Sequence, residues 1–157
     1  MFDRQMVKIK RQLSSEATEE LMLRGNHGTL SVNGDDGYPY GVPINYVYVD
    51  GAIYCHSAGK GYKVDCIKRD SKVCFSSTVS EEIVEKETTA KFESFIAFGK
   101  ASFVDDADEK RKVMTAFVDR LTPNEIATGM AYLEKVFASV NLIKVTIEDV
   151  KGKAYLG

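Results

Sequence analysis

An α+β fold built on an antiparallel β-barrel is what this sequence predicts, on three observations. Strand-like segments follow one another through tight turns over residues 28–57. Helical patterns occur only near the start, in one crossover and late in the chain. Pro39 and Pro43 interrupt one strand and cannot donate to a ladder, which places that stretch at an edge, a bulge or a barrel rim. A length of 157 residues gives one domain, 1–157, with one core.

The elements follow in order. Ser14 and Ser15 are N-cap residues for a helix over 14–25, with Glu16, Glu19 and Glu20 near its positive end and Gly25 as its stop. GTLSV (28–32), the turn cluster NGDDG and YPYGVPINYVYV (38–49) read as a hairpin, and Asp50-Gly51 leads into a third strand, AIYCHS (52–57). Val64 and Ile67, with Tyr62 or Cys66, give a two-turn helix. KVCFSS (72–77) and ESFIAFGKASFV (93–104) are further strands, and the charged stretch between them, TVSEEIVEKETTAK (78–91), is expected to be a mobile surface connection. Lys110, Met114, Phe117, Val118 and Leu121 fall at helical spacing. Thr122-Pro123-Asn124-Glu125 then matches a capping box with proline at the first helical position, predicting a second helix to about Val136. SVNLIKVTIEDV (139–150) is β-branched enough for a last strand, and KGKAYLG reads as a tail.

Composition excludes several classes. With 44% hydrophobic and 28% charged residues the chain has the makings of a packed core rather than of disorder. A net charge of -2 offers no basic face for nucleic acid. No apolar run approaches the roughly 20 residues that span a bilayer, and the first residues lack the apolar centre of a signal peptide, so no membrane partner and a cytoplasmic location are expected. Cys55, Cys66 and Cys74 are spaced for neither a disulfide framework nor a zinc site and are expected to be reduced, buried side chains, with no bound metal.

Chemistry concentrates in YCHSAGKGYKVDCIKRD, residues 54–70. Two glycines at a helix start let the backbone approach a ligand, and free N–H groups with the helix dipole favour an anion there. Ser57 adds a hydroxyl, and Lys60 or Lys63 a charge, so a phosphate is the indicated guest, against a plain glycine turn with solvated lysines. The spacing is neither that of a Walker A loop nor that of a dinucleotide fingerprint. His56 has three readings: a packed residue without duty, a ligand contact, or a metal or haem ligand. Cys55 and His56 alternate on a strand and cannot form a nucleophile pair. Tyr38, Tyr40, Tyr46, Tyr48 and Tyr54 either line a flat ring pocket or pack the hairpin.

Residues 37–77 resemble the flavin-binding split barrels related to pyridoxamine 5'-phosphate oxidase, and within them the branch named for 5-nitroimidazole antibiotic resistance. The carrying elements are Gly-x-Pro-Tyr-x-x-Pro-x-Asn-Tyr (37–46), the strand ending Tyr-x-His-Ser-Ala, the Gly61-x-Lys63 pair and the helix followed by KVCF. Similarity continues through ESFIAFGKASFVDDADEKRKVM. The resemblance implies a six-stranded antiparallel split β-barrel with peripheral helices, forming a homodimer with FMN in clefts between the subunits. It implies that Ser57 and Lys63 hold the FMN phosphate beside the backbone of Gly61 and Tyr62. Pro43, Ile44 and Asn45 then lie along the isoalloxazine ring, Ser94 reaches the flavin, and His56 stands near the ribityl chain or the ring edge, where it also meets the substrate. The chain has no Trp and ends in GKAYLG, so it lacks the C-terminal tryptophan and arginine signature that accompanies vitamin B6 oxidation. The expectation is an FMN-dependent oxidoreductase of a small molecule, nitroaromatic compounds included. The rival is a binding protein without turnover, either a flavin carrier or a haem protein with His56 on iron; a third reading leaves the loop empty.

Overall fold

Ser14 opens the first helix as an N-cap, its Oγ accepting the Ala17 N–H at 3.1 Å, and α1 (Ser15–Arg24) ends against Gly25. The computed structural model describes residues 1–157. β1 (His27–Asn33), β2 (Pro39–Val49) and β3 (Ala52–Ser57) form the expected meander. Asp50 and Gly51 turn β2 into β3 with φ of 49° and 79°, the paired positive values that suit the twist of a hairpin. The remaining elements are α2 (Tyr62–Arg69), β4 (Lys72–Val84), β5 (Thr89–Phe103), α3 (Ala107–Leu121), α4 (Ile126–Val136) and β6 (Asn141–Tyr155). All pairings are antiparallel, and the strands close into a ring in the order β1-β2-β3-β6-β5-β4.

Three expectations need correction. Residues 78–91 are strand rather than an irregular connection: β4 and β5 stay paired as far as Val84 and Thr89, past a bulge at Thr78/Ser80, and only the turn of Glu85–Glu87 with Thr88 separates them. Beyond Ser76 the strand β4 has left β1, and Glu81, Glu82 and Ile83 are exposed in a row, so this arm shows no alternation in sequence. The capping box is not used. Thr122 donates its hydroxyl back to the Val118 carbonyl at 2.7 Å, and α4 starts three residues after Pro123 with no side-chain cap. KGKAYLG is no tail either, because β6 runs on to Tyr155, which pairs with Phe92 of β5.

In place of the one core expected, the pleat sorts side chains into two clusters, one on each side of the sheet. Inside the ring, Leu30, Tyr46, Ile53, Cys55, Phe75, Phe95, Ile143 and Val145 pack together with Leu21 and Met22 of α1 and Cys66 and Ile67 of α2. Burying each large apolar side chain contributes about 1.5–3 kcal/mol. The one polar atom of Tyr46 is satisfied, its hydroxyl donating to the Met22 carbonyl at 2.8 Å. Outside the ring, Val47, Tyr54 and Leu142 are covered by Val113, Met114 and Phe117 of α3 and Leu133 of α4. The helix pair is close-packed at Gly129, where a Cβ would lie 2.4 Å from Thr122 Oγ1 and 2.6 Å from Val118 Cγ1.

No helix covers the opposite outer face. There the register aligns Pro43, Thr29, Ser76 and Ile96 across β2, β1, β4 and β5, and Ile96 is 47% exposed. The N-terminal segment reaches its margin, with Phe2 on Phe98 at 5.7 Å and Lys151 Nζ donating to the Phe2 carbonyl at 2.6 Å. No helix is long and apolar enough to cross a membrane.

Candidate functional site

β3 delivers Cys55, His56 and Ser57 in succession, and its pleat sends Cys55 and Ser57 inward and His56 outward. Burial pushes the Cys55 thiol up to about 12, so it carries no thiolate at neutral pH. Cys66 is also buried and Cys74 partly so, all three as free thiols. Ser57 is 8% exposed, and its Oγ has no hydrogen-bond partner. A buried polar group left unpaired costs about 1–3 kcal/mol, so this position lacks an acceptor that the protein itself does not supply.

The chain then turns through Gly59 and Gly61, at φ of 69° and 112°, into α2. A Cβ at Gly61 would meet nothing within 4 Å, so the helix entrance opens onto free space. The Gly61 carbonyl accepts from Val64 and Asp65, whereas the N–H groups of Tyr62 and Lys63 begin the helix and have no intrahelical acceptor. Lys63 is half-buried, and its charge opposes the upward effect of burial on Cys55 and adds to the downward effect of burial on His56, which puts the ammonium near both. An unpaired hydroxyl, two free amides and one ammonium thus fall within residues 57–63, a donor set suited to a phosphate.

The side chain of Tyr62 is used elsewhere. Its hydroxyl donates to Asp35 Oδ1 at 2.7 Å and accepts from the Asp35 N–H at 3.1 Å, and its ring meets Tyr40 edge-on at 5.0 Å. The bond to the Asp35 carboxylate pushes the phenol up to about 12. Arg69 donates to the Asn33 carbonyl, and Asn33 Nδ2 to Asp70 Oδ2 at 2.8 Å. The helix that carries the loop is therefore tied at both ends to the β1–β2 turn.

Burial, and then the charge of Lys63, lowers the His56 pKa and keeps the imidazole neutral at pH 7. Its ring meets Phe117 of α3 edge-on, 5.1 Å between centroids at 72°. On β2, Pro43 is exposed, Asn45 donates to the Asn26 carbonyl at 3.0 Å, and Ile44 packs against the inner core, leaving its backbone for anything lying on the outer face. These residues and the loop belong to neighbouring strands, since Tyr46 pairs with Cys55. Ser94 does not join them. It pairs with Thr78 and Lys153 and lines a polar hollow of about 400 Å³ with His27, Ser76 and Thr78. Its strand is three strands from Pro43, roughly 14 Å of sheet.

The tyrosines form no common pocket: Tyr46 is in the core, Tyr48 donates to Glu19 at 3.1 Å, and Tyr54 faces α3. Two neighbours of the site went unread in the sequence. Phe117 has helical spacing, which says that it is buried but not against what. Asn141 pairs with Ser57 across β3 and β6, and its side chain occupies the space beside Gly59; nothing local in the sequence connects them.

A family model described as pyridoxamine 5'-phosphate oxidase matches residues 14–154, nearly the whole chain. The chain belongs to the pyridoxamine 5'-phosphate oxidase family. Solved structures agree on the split barrel of this family. A candidate 5-nitroimidazole antibiotic resistance protein from Bacteroides thetaiotaomicron is 23% identical, with a TM-score of 0.76 over 91% of this chain and 86% of that one. A flavocytochrome from Azotobacter vinelandii gives 15% identity and a TM-score of 0.79 over 98% of this chain and 73% of that one. An FAD- and haem-binding protein from Mycobacterium smegmatis gives 20% and 0.76, over 94% and 74%. At these identities the likeness establishes the fold of this pyridoxamine 5'-phosphate oxidase relative. Among curated proteins none matches it in sequence.

Proposed function

We propose that the protein is a cytoplasmic, homodimeric FMN-binding oxidoreductase of a small molecule, nitroaromatic electrophiles among its candidates. The observation that carries this reading is the unpartnered, buried Ser57 Oγ beside the open entrance of α2 and the Lys63 ammonium. Ser57, Lys63 and the backbone of Gly61 and Tyr62 hold the phosphate. Pro43, Asn45 and the backbone of Ile44 offer a flat edge to the ring. Bound FMN supplies hydride or electron transfer. His56, neutral and outward-facing, donates one hydrogen bond to substrate and orients it. Ser94 is too far along the sheet to touch the same ring, so it serves the flavin held by a second copy. The uncovered face around Pro43 and Ile96 is where that copy docks.

A haem reading draws on His56, whose ring nitrogens have no protein partner beside an apolar cavity, and on the haem-binding protein of the same fold. That cavity is about 240 Å³ and takes one ring. A four-pyrrole macrocycle requires α4 to move away, so the flavin reading is preferred. An absorbance spectrum of the protein purified without added cofactor, repeated during FMN titration, tests it. Twin flavin bands, weakened by Lys63→Ala, support it; an intense Soret band lost in His56→Ala replaces it with haem; no change with either ligand overturns both.

A further inference from the structure

Between the outer face of β3 and the α3–α4 pair lies a cavity of about 240 Å³ that the phosphate loop does not line. Its walls are apolar: Met114, Phe117 and Val118 of α3, Leu133 and Val136 of α4, and Val140 before β6. Interiors of small proteins hold few voids larger than a water molecule, and an apolar void of about 150 Å³ already admits benzene. This one opens to solvent past Leu121 and Tyr132, the latter 65% exposed, so a ligand has a way in.

Behind the exposed Tyr132 at the mouth, two polar side chains of opposite character border it. Thr122 spends its proton on the Val118 carbonyl, so it presents only lone pairs. His56 is the one imidazole in the wall, held edge-on by Phe117, and as a neutral ring it has one N–H to donate. No lysine, arginine, aspartate or glutamate lines the space, so a charged guest would lose its water without gaining a partner.

We propose that this cavity is a binding pocket for a neutral, single-ring aromatic molecule carrying one carbonyl acceptor, its ring among Phe117, Leu133 and Val136 and its oxygen on the His56 N–H. The proposal meets the preceding reading only at His56, whose single N–H serves either that substrate or this guest at one time; the binding itself requires no flavin.

The test is calorimetric titration of the purified protein, without added cofactor, with acetophenone and with α-methylstyrene, which puts a CH2 group in place of the carbonyl oxygen and so has nearly the same shape and no acceptor. Acetophenone is expected to bind about fivefold more tightly, the worth of one net hydrogen bond. His56→Leu is expected to erase that difference while both compounds still bind. Val136→Phe, which fills the cavity, is expected to abolish both, with an unchanged circular dichroism spectrum as the check on folding. Leu133→Met, a volume-conserving change in the same wall, is the companion variant and is expected to shift both affinities together. No binding of acetophenone to the wild type, equal affinities for the two compounds, or undiminished binding in a folded Val136→Phe protein each overturns the proposal. FMN titrated in parallel separates the two readings: FMN binding without acetophenone binding removes only this pocket, and the converse removes only the flavin site.

Discussion

Tyr54 of β3 donates its hydroxyl to Glu109 of α3 at 2.6 Å, and the same carboxylate oxygen accepts from Lys144 of β6 at 2.7 Å. Two adjacent barrel strands thereby hold the first turn of α3, the helix against which the His56 ring rests. Removing the hydroxyl in Tyr54→Phe should cost about 1 kcal/mol and lower Tm by roughly 2–4 °C. Glu109→Ala should cost more, because it also leaves Lys144 without its partner. Thermal unfolding of both variants measures this; equal stability to wild type would show the cluster to be solvated decoration.

The same cluster fixes an acid limit. The hydrogen bond from Lys144, then that from Tyr54, holds the Glu109 carboxyl below its ordinary value of 4.5. A depressed carboxylate stabilises the folded state above the unfolded pKa and loses that contribution as pH falls through the folded one. Wild type and Glu109→Gln should therefore converge in stability below pH 4.5, as read from urea midpoints across the acid range.

His56 adds a second pH dependence at higher values. Its folded pKa lies below 6.5 through burial and then Lys63, so protonation favours the unfolded chain. Stability should decline as pH drops below 6.5, and less so in His56→Gln. A parallel decline in both proteins would assign the effect to other groups.

Ser57→Ala should act oppositely on stability and on ligand. Its Oγ has no partner in the protein, so removing it should leave Tm unchanged or slightly higher, yet FMN affinity should fall about fivefold for one lost hydrogen bond. Lys63→Ala, which removes a charged donor, should lower FMN affinity roughly 10- to 100-fold. Fluorescence quenching of FMN gives both constants.

Assembly is tested at the uncovered face. Ile96→Asp places a charge where an exposed isoleucine now stands, in the row that includes Pro43, Thr29 and Ser76. Light scattering should give a dimer for wild type and a monomer for the variant, with FMN affinity falling alongside. A wild-type monomer that binds FMN fully would remove the second copy from the site.

What was legible in the sequence was whatever had one wet and one dry face. The β1–β3 meander and α1 were readable because alternation, caps and turns agreed, and the donors of the 57–63 loop were readable because glycines and a lysine follow a strand directly. The β4–β5 arm was not, because Glu81, Glu82 and Ile83 are exposed in succession and its other residues at most half-buried, so no alternation marks it as a strand pair. The Thr122 box misled because a threonine hydroxyl can serve the helix behind it as readily as the one ahead, and Val118 was nearer. The cavity was invisible, since Phe117 and Leu133 keep the same helical spacing whether they touch one another or an empty volume.

The placement of β6 between β3 and β5 matters for how the protein is made. Those two strands are emerged and exposed long before the residues that pair with both of them, 141–155, leave the ribosome. During synthesis the nascent barrel is thus an open sheet with two bare edges, the form most prone to pairing with a neighbouring chain. Closure depends on contacts between distant parts of the sequence, a slow topology to complete. Soluble yield on overexpression should thus respond to translation speed and temperature more strongly than the finished fold's own stability would suggest.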